Sequence, residues 1–372
     1  MRYVFESSRL TQTMTGVGYY AAYLSEELQR ISGSEQVRCG FRDAKSDRNT
    51  LVTRRVAYKL LAFNIRLPFQ LLWGTGYKAA IFPDFNGFGN WSKKTKTAVV
   101  VHDTEFITNP SSLDNKRQGL MSYLLPTGSD YLCRTVPGSM RRADIVITTS
   151  ATVKEEFVRL LNIDSSKIVV TGIPPHPIYA PSANRPVLPL NLKSRKFIYY
   201  QATIEPRKNH MNLLKAYELL PNKISSRYPL VLGGGYGWGN RQFFSYINKL
   251  KEKGYMIYHL GYVDEATKLV MYQNAAIYVQ PSLNEGFGMP ILEAMACDTP
   301  TVVSDIPVFR EVCRKASIYF DPKSSEAIKE AIQTTLLDKN LLKELVKKGR
   351  SRVDSYRKDD SGFKEIVERL GI

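Results

Sequence analysis

Short β-branched runs alternating with amphipathic helical stretches constrain this chain more than any other feature. Strands are predicted at Ala98–Val101, Ile145–Thr149, Ile168–Thr171, Phe197–Tyr200, Leu230–Leu232, Ile277–Val279 and Thr301–Val303. Helices are predicted between them, at Val17–Arg30, Val153–Leu161, His210–Leu220, Phe243–Lys253 and Ser324–Leu337. Strands joined through helices pair in parallel and need cover on both faces, which is the α/β class. A proline-rich stretch, Gly172–Leu192, stiffens the middle of the chain and reads as a hinge. At about 100–200 residues per domain, 372 residues allow two domains. We expect one over residues 1–185 and one over 186–353. The last stretch, 354–372, carries an amphipathic FKEIVERL expected to pack back on the first domain.

Composition narrows the class. Apolar residues make up 43% and charged residues 23%, which excludes a largely disordered chain. There is no run of about 18 apolar residues, so no membrane span is predicted. The start, MRYVFESSRL, lacks an apolar core and a small-residue cleavage site, so no secretion signal is expected. Cys39, Cys133, Cys297 and Cys313 stand apart without CxxC spacing and are expected to be free thiols in a reducing cytosol. Basic residues outnumber acidic ones by 52 to 35, a formal charge of +17. The excess is local: residues 30–96 hold 13 basic and 4 acidic side chains, and no carboxylate lies between Arg48 and Pro83. Such a surface prefers nucleic acid, anionic lipid or phosphorylated small molecules.

Two stretches carry chemistry. In PSLNEGFGMPILEAMACDTPTVVSDIPVFREV, Pro281–Val312, a buried-looking strand ends at Pro281 and a helix is expected near Met289–Pro290. Proline suits a first helical turn. Glycines at a strand-to-helix turn let backbone approach a ligand, and the helix start favours an anion. Glu285 and Glu293 would stand about 12 Å apart if the segment were helical throughout. Carboxylates so placed suit the hydroxyls at both ends of a nucleotide sugar, with the diphosphate between them. The second stretch is ATIEPRKNH, which puts Arg207 and Lys208 at the mouth of a βα loop. Ligands of open α/β sheets sit at the carboxyl ends of strands, where adjacent Arg and Lys suit a diphosphate. Taken singly, each stretch also reads as solvated surface on an ordinary βα crossover.

PRKN before a helix, the GYV near residue 261, the Pro281–Val312 stretch and IYFDP, in this order, resemble the C-terminal domain of retaining GT-B glycosyltransferases of family 4 (group 1). SSRLTQTMTGVGYYAAYLSEEL resembles that family's N-terminal glycine loop and first helix, and VVVHDTEF the His-Asp strand end of its mannosyltransferase-like members. ADIVITTSATVKEEFVRLLNIDSSKIVVTGIPPHPIY resembles its strand, serine, helix, strand and hinge. The likeness covers most of the chain, least over residues 40–95. It implies two Rossmann-like domains facing across a cleft, the N-terminal one on the acceptor side and the C-terminal one binding the nucleotide sugar.

Residue by residue, the resemblance implies that Arg207 and Lys208 bind the donor diphosphate and neutralise the leaving group. It assigns Glu285 to hydroxyls of the transferred sugar and Glu293 to the ribose. The backbone of Gly286, Phe287, Gly288, Met289, Pro290 and Ile291 would lie along sugar and diphosphate. Gly16, Val17 and Gly18 would close over the diphosphate, His102 would reach the sugar, and Tyr262 and Val263 would hold the base through backbone. The implied reaction moves a hexose, first mannose from GDP-mannose, to a glycan or lipid-linked glycan in cell-surface polysaccharide synthesis. UDP- and dTDP-sugars are the alternative donors. The nucleotide sugar is a co-substrate, and no cofactor is expected.

Other readings stay open. His102 with Asp103 also suits a base and its orienting carboxylate, as an inverting enzyme would use. His102, His176, His210 and His259 show no metal-ligand spacing, so no metal is expected. GGGYGWG, Gly233–Gly239, lacks the rest of a dinucleotide fingerprint and reads as a flexible turn beside the base. The chain departs from the family at Asp298, where glycine is usual, at Ala202, where glycine is common, and at Tyr19, which replaces a common arginine. Arg48–Tyr77 interleaves Arg54, Arg55, Lys59 and Arg66 with apolar residues and Trp73. It reads either as a face on an anionic membrane, placing the chain peripherally on the inner side of the cytoplasmic membrane, or as an amphipathic helix on the core. A nucleic-acid-binding protein would explain the charge but leave the paired glutamates and PRKN without a role, so no nucleic acid partner is expected.

Overall fold

The structure is a computed structural model that describes residues 1–6, 16–39, 77–84, 95–108, 128–182, 188–237 and 241–372. The expected membrane face, Arg54, Arg55, Lys59, Arg66 and Trp73, lies outside the described residues. The chain forms two compact units, Met1–Ile173 with Asp359–Ile372, and Pro174–Lys358.

In the first unit the strands are β1 (Arg2–Glu6), β2 (Glu35–Cys39), β3 (Tyr77–Phe82), β4 (Lys96–Val100), β5 (Ile145–Thr148) and β6 (Ile168–Val170). They pair in parallel in the order β2-β1-β3-β4-β5-β6. Helix Ala151–Leu161 shows how sequence sets an element here. Ser150 accepts a hydrogen bond from the Val153 amide and caps the start, and Asn162, at φ 53°, ends it. Val153, Phe157 and Leu161, four residues apart, face the sheet and are buried. Each such side chain contributes about 1.5–3 kcal/mol of burial. The last helix, Ser361–Leu370, buries Phe363, Ile366 and Leu370. Phe363 meets the Tyr23 ring of helix Gly16–Ser32 edge to face at 5.5 Å, which returns the C-terminus to the first unit.

In the second unit the strands are β7 (Ile198–Gln201), β8 (Leu230–Gly233), β9 (Ile257–His259), β10 (Ile277–Gln280), β11 (Thr301–Ser304) and β12 (Ser317–Phe320). They too are parallel, in the order β12-β11-β10-β7-β8-β9. The direction of winding reverses between β7 and β10, and such a switch point leaves a crevice at the carboxyl ends of its two strands. Tyr179 belongs to this unit: its ring lies 5.7 Å from Tyr272, its hydroxyl donates to Glu265 at 2.5 Å, and its carbonyl accepts from Arg357. The chain therefore passes between units at Ile173–Pro174, within the proline-rich stretch.

Candidate functional site

β7 and β10 are parallel neighbours, so the loops that follow them open on one edge of the sheet. After β7 the chain makes one tight turn, Pro206–Lys208, and Asn209 at φ 58° redirects it into helix His210–Glu218. Asparagine tolerates this left-handed conformation better than most residues. Its buried amide donates to the carbonyls of Pro281, at 2.9 Å, and Pro322, at 2.7 Å. The Tyr200 hydroxyl donates to the Lys208 carbonyl, and the Leu283 amide donates to that of Arg207. The turn is thus tied to the loops after β10 and β12.

These ties bring the predicted Arg207, Lys208 and Glu285 together. Lys208 Nζ lies 2.5 Å from Glu285 Oε1, and Arg207 Nη1 lies 3.2 Å from Oε2. Ser282 Oγ and Gln280 Nε2 also donate to Oε1, at 2.8 and 3.1 Å. Arg207 Nε meets Glu205 Oε1 at 2.6 Å. Burial by itself raises the Glu285 carboxyl, but Lys208 and then Arg207 outweigh it and hold the group at about 2. Burial raises the Glu205 carboxyl, against the pull of Arg207 and Lys208. Two cations and two carboxylates thus form a compact cluster at the switch point.

Glu285 and Glu293 do not share a helix. The helix runs only over Met289–Ala296, because Gly288 at φ 110° interrupts the chain ahead of it. A Cβ at Gly288 would stand 2.9 Å from the Phe309 ring. The expected 12 Å helical spacing therefore does not apply, and Glu293 has its own surroundings. Its Oε2 accepts from the Tyr272 hydroxyl at 2.9 Å, and its Oε1 lies 3.6 Å from Lys268 Nζ. Phe287 and Ile291 are buried, with the Phe287 ring 5.5 Å from Tyr356, so their side chains belong to the core. Met289 and Pro290 between them are half-buried. The helix start at Met289–Pro290 opens on the same edge as the cluster.

Tyr262 and Val263 follow β9, Tyr262 being exposed and Val263 buried. The glycine-rich stretch is not a free turn over its described part, Gly233–Gly237. The Ala202 amide donates to the Gly233 carbonyl and the Ile204 amide to that of Gly235, while the Gly234 amide donates to Gly261. Gly234 has φ 137°, and a Cβ there would lie 1.8 Å from the Ala202 carbonyl oxygen. The loop is laid along the 202–204 segment, and glycine is what permits it.

In the first unit, Gly16, Val17 and Gly18 form the first turn of helix Gly16–Ser32 rather than a loop ahead of it, and Gly18 is buried. Tyr20, on the next turn, packs edge-on against the His102 ring at 5.0 Å and bonds Thr171 Oγ1 at 2.5 Å. Helix start and His102 are thereby brought to the same edge of the first sheet. Asp103 accepts from the Glu105 amide and caps the short helix Glu105–Thr108. Cys133, Cys297 and Cys313 are free thiols. Among the described residues, no three His, Cys, Asp or Glu side chains are grouped to hold a metal ion. No described helix is long and apolar enough to cross a membrane.

Several residues at the site escaped the sequence reading. Asn209 and Ser282 lay inside the quoted motifs and had a signal: a polar residue after a turn, and a hydroxyl three residues from a carboxylate. Glu205, Lys268 and Tyr272 had none, because a helical lysine or a strand-flanking glutamate is ordinarily solvated.

Residues 183–352 match the family model described as Glycosyl transferases group 1. Over 360 residues the chain is 29% identical to the O-antigen chain mannosyltransferase B of Escherichia coli, covering 91% of each chain. Sucrose-phosphate synthase of Thermosynechococcus elongatus superposes with a TM-score of 0.72 at 18% identity, over 99% of this chain and 98% of that one. Anabaena HepE, solved in complex with UDP-glucose, gives a TM-score of 0.70 at 14% identity, over 100% and 99%.

Proposed function

We propose, for a chain that belongs to the group 1 glycosyltransferases and has their GT-B fold, transfer of mannose from GDP-mannose to a glycan or lipid-linked glycan during polysaccharide synthesis. The observation that carries this reading is the Lys208–Glu285–Arg207 cluster at the β7/β10 switch point. The name of the Escherichia coli relative supports mannose.

In this reading the donor diphosphate takes hydrogen bonds from Arg207 and Lys208, and Glu285 turns its oxygens to hydroxyls of the sugar. Glu293 accepts from the ribose. As the bond between the sugar's anomeric carbon and phosphate oxygen breaks, negative charge grows on the diphosphate beside cations already in place, which is the strongest form of electrostatic catalysis. The acceptor hydroxyl oxygen bonds to the anomeric carbon on the face the phosphate leaves, and its proton passes to the departing phosphate oxygen. The products are a glycoside of unchanged anomeric configuration and a nucleoside diphosphate. His102 contacts the transferred sugar. The basic stretch Arg48–Tyr77 meets an anionic membrane that carries the acceptor.

Transfer from GDP-mannose, UDP-glucose and dTDP-sugars to a lipid-linked acceptor tests this. The expected result is mannose transfer with an α linkage, lowered at least about 100-fold by Lys208→Ala. Transfer from a UDP-sugar alone would move the donor assignment to uridine, as the HepE complex allows. A β-linked product would overturn retention and restore the reading of His102 and Asp103 as a base pair.

A further inference from the structure

Glu293 is buried at the fifth residue of its helix, and its neighbours include few charges. Helix Glu265–Asn274 presents Lys268, Glu265 and Tyr272 to it, β7 presents Tyr199, β10 presents Tyr278, the segment before β7 presents Tyr179, and its own helix end presents Cys297. The four tyrosines and the thiol are all raised by burial and stay neutral. Of these groups Lys268 is the one cation. Its ammonium is fixed from the other side by Glu265 at 2.8 Å, whose second oxygen holds the Tyr179 hydroxyl, and it lies over the Tyr179 ring.

The distances divide the work between two partners. Tyr272 makes a hydrogen bond of 2.9 Å to Oε2, whereas Lys268 stands 3.6 Å from Oε1. At 3.6 Å a cation still supplies charge but does not occupy the oxygen's acceptor positions. We propose that Lys268 is a positioning residue for the nucleotide: it sets a positive charge 3.6 Å from Glu293 Oε1 while leaving that oxygen able to accept from a ribose hydroxyl. This rests on the assignment of Glu293 to the ribose in the reading above.

The pH dependence has a definite sign. Burial raises the Glu293 carboxyl, and Lys268 is the first of the groups opposing it, ahead of Tyr272. With Tyr272 already donating to Oε2, a proton taken up on Oε1 meets the ribose donor, so affinity falls as pH falls through the titration. Removing Lys268 raises that titration further, so the loss begins at a higher pH.

Calorimetric titration of the full chain with GDP and UDP, and with their 2′,3′-dideoxy forms, from pH 5.5 to 8.5, tests the proposal. The wild type is expected to prefer the ribose form about tenfold. Lys268→Met is expected to bind about tenfold more weakly at pH 6 and to lose the ribose preference there, to recover both toward pH 8.5, and Lys268→Arg to restore the wild-type profile. Wild-type affinity and pH profile in Lys268→Met would overturn it. If Lys268→Met does not fold, Lys268→Gln, which removes the charge and keeps a polar side chain, is expected to shift the profile the same way by at least about threefold, and an unchanged profile there overturns the proposal as well. Equal binding of ribose and dideoxy forms by the wild type would remove Glu293 from the ribose and this proposal with it, while the effect of Lys208→Ala on transfer still judges the diphosphate clamp separately.

Discussion

At the scale of single residues, Asp298 shows how a departure from the family pattern is accommodated. It adopts φ 58° after helix Met289–Ala296, the conformation that favours glycine. Its carboxylate holds Arg350 through two contacts, with Nε at 2.6 Å, and its carbonyl accepts from Arg195. The backbone penalty, about 1 kcal/mol, is offset by the carboxylate contacts with Arg350, which glycine could not make. Asp298→Gly is therefore expected to stay within about 1 kcal/mol of the wild type in urea unfolding, and Asp298→Ala, which keeps the penalty and loses the contacts, to fall about 1–2 kcal/mol. Equal stability of Asp and Ala would contradict this. The residues around the cluster divide the same way in legibility. Arg207, Lys208 and Glu285 were readable because charge at strand ends is a local pattern. Asn209 binds carbonyls 72 and 113 residues away, which no local pattern encodes.

At the scale of elements, all seven predicted strands and all five predicted helices are present, with ends shifted by at most two residues. The unpredicted strands have physical reasons for being silent. β2, β9 and β12 are sheet edges, which bury less and so need a weaker apolar pattern. β3 carries two alanines, which favour strands weakly. β1 is short and charged at both ends. The helical spacing of Glu285 and Glu293 failed for a related reason: Gly288 sits between them, and a glycine inside a periodic pattern breaks it. The glycine-rich loop gives the sharpest prediction at this scale. Gly234→Ala must displace the Ala202 carbonyl at an unfavourable φ, and is expected to lower stability by about 3 kcal/mol and weaken nucleotide binding. Denaturant unfolding and titration with GDP check it; a fully stable, binding-competent variant would show that the 202–204 pairing is dispensable.

At the scale of the whole molecule, two parallel sheets were legible from strand–helix alternation alone, and the chain leaves the first unit at Ile173–Pro174, inside the proline-rich stretch read as a hinge. Tyr179 belongs to the second unit through Tyr272 and Glu265, contacts with no signature in a proline-rich stretch. The +17 charge, read first as a polyanion surface, is concentrated in residues 30–96, which hold 13 basic and 4 acidic side chains. If that stretch meets a membrane, the chain is expected to sediment with phosphatidylglycerol vesicles at low salt and much less so at 0.5 M salt. The Arg54→Glu, Arg55→Glu double variant should lose most of that binding; unchanged sedimentation would reject these residues as the contact.

The central claim is that Arg207 and Lys208 hold the diphosphate of a nucleotide sugar, and thermal unfolding with GDP-, UDP-, dTDP- and ADP-sugars tests it most directly. GDP-mannose at millimolar concentration is expected to raise the Tm of the wild type by several degrees, as a ligand well above its Kd does, and to leave Lys208→Ala unshifted. No shift with any nucleotide sugar, or an equal shift in Lys208→Ala, would contradict the account.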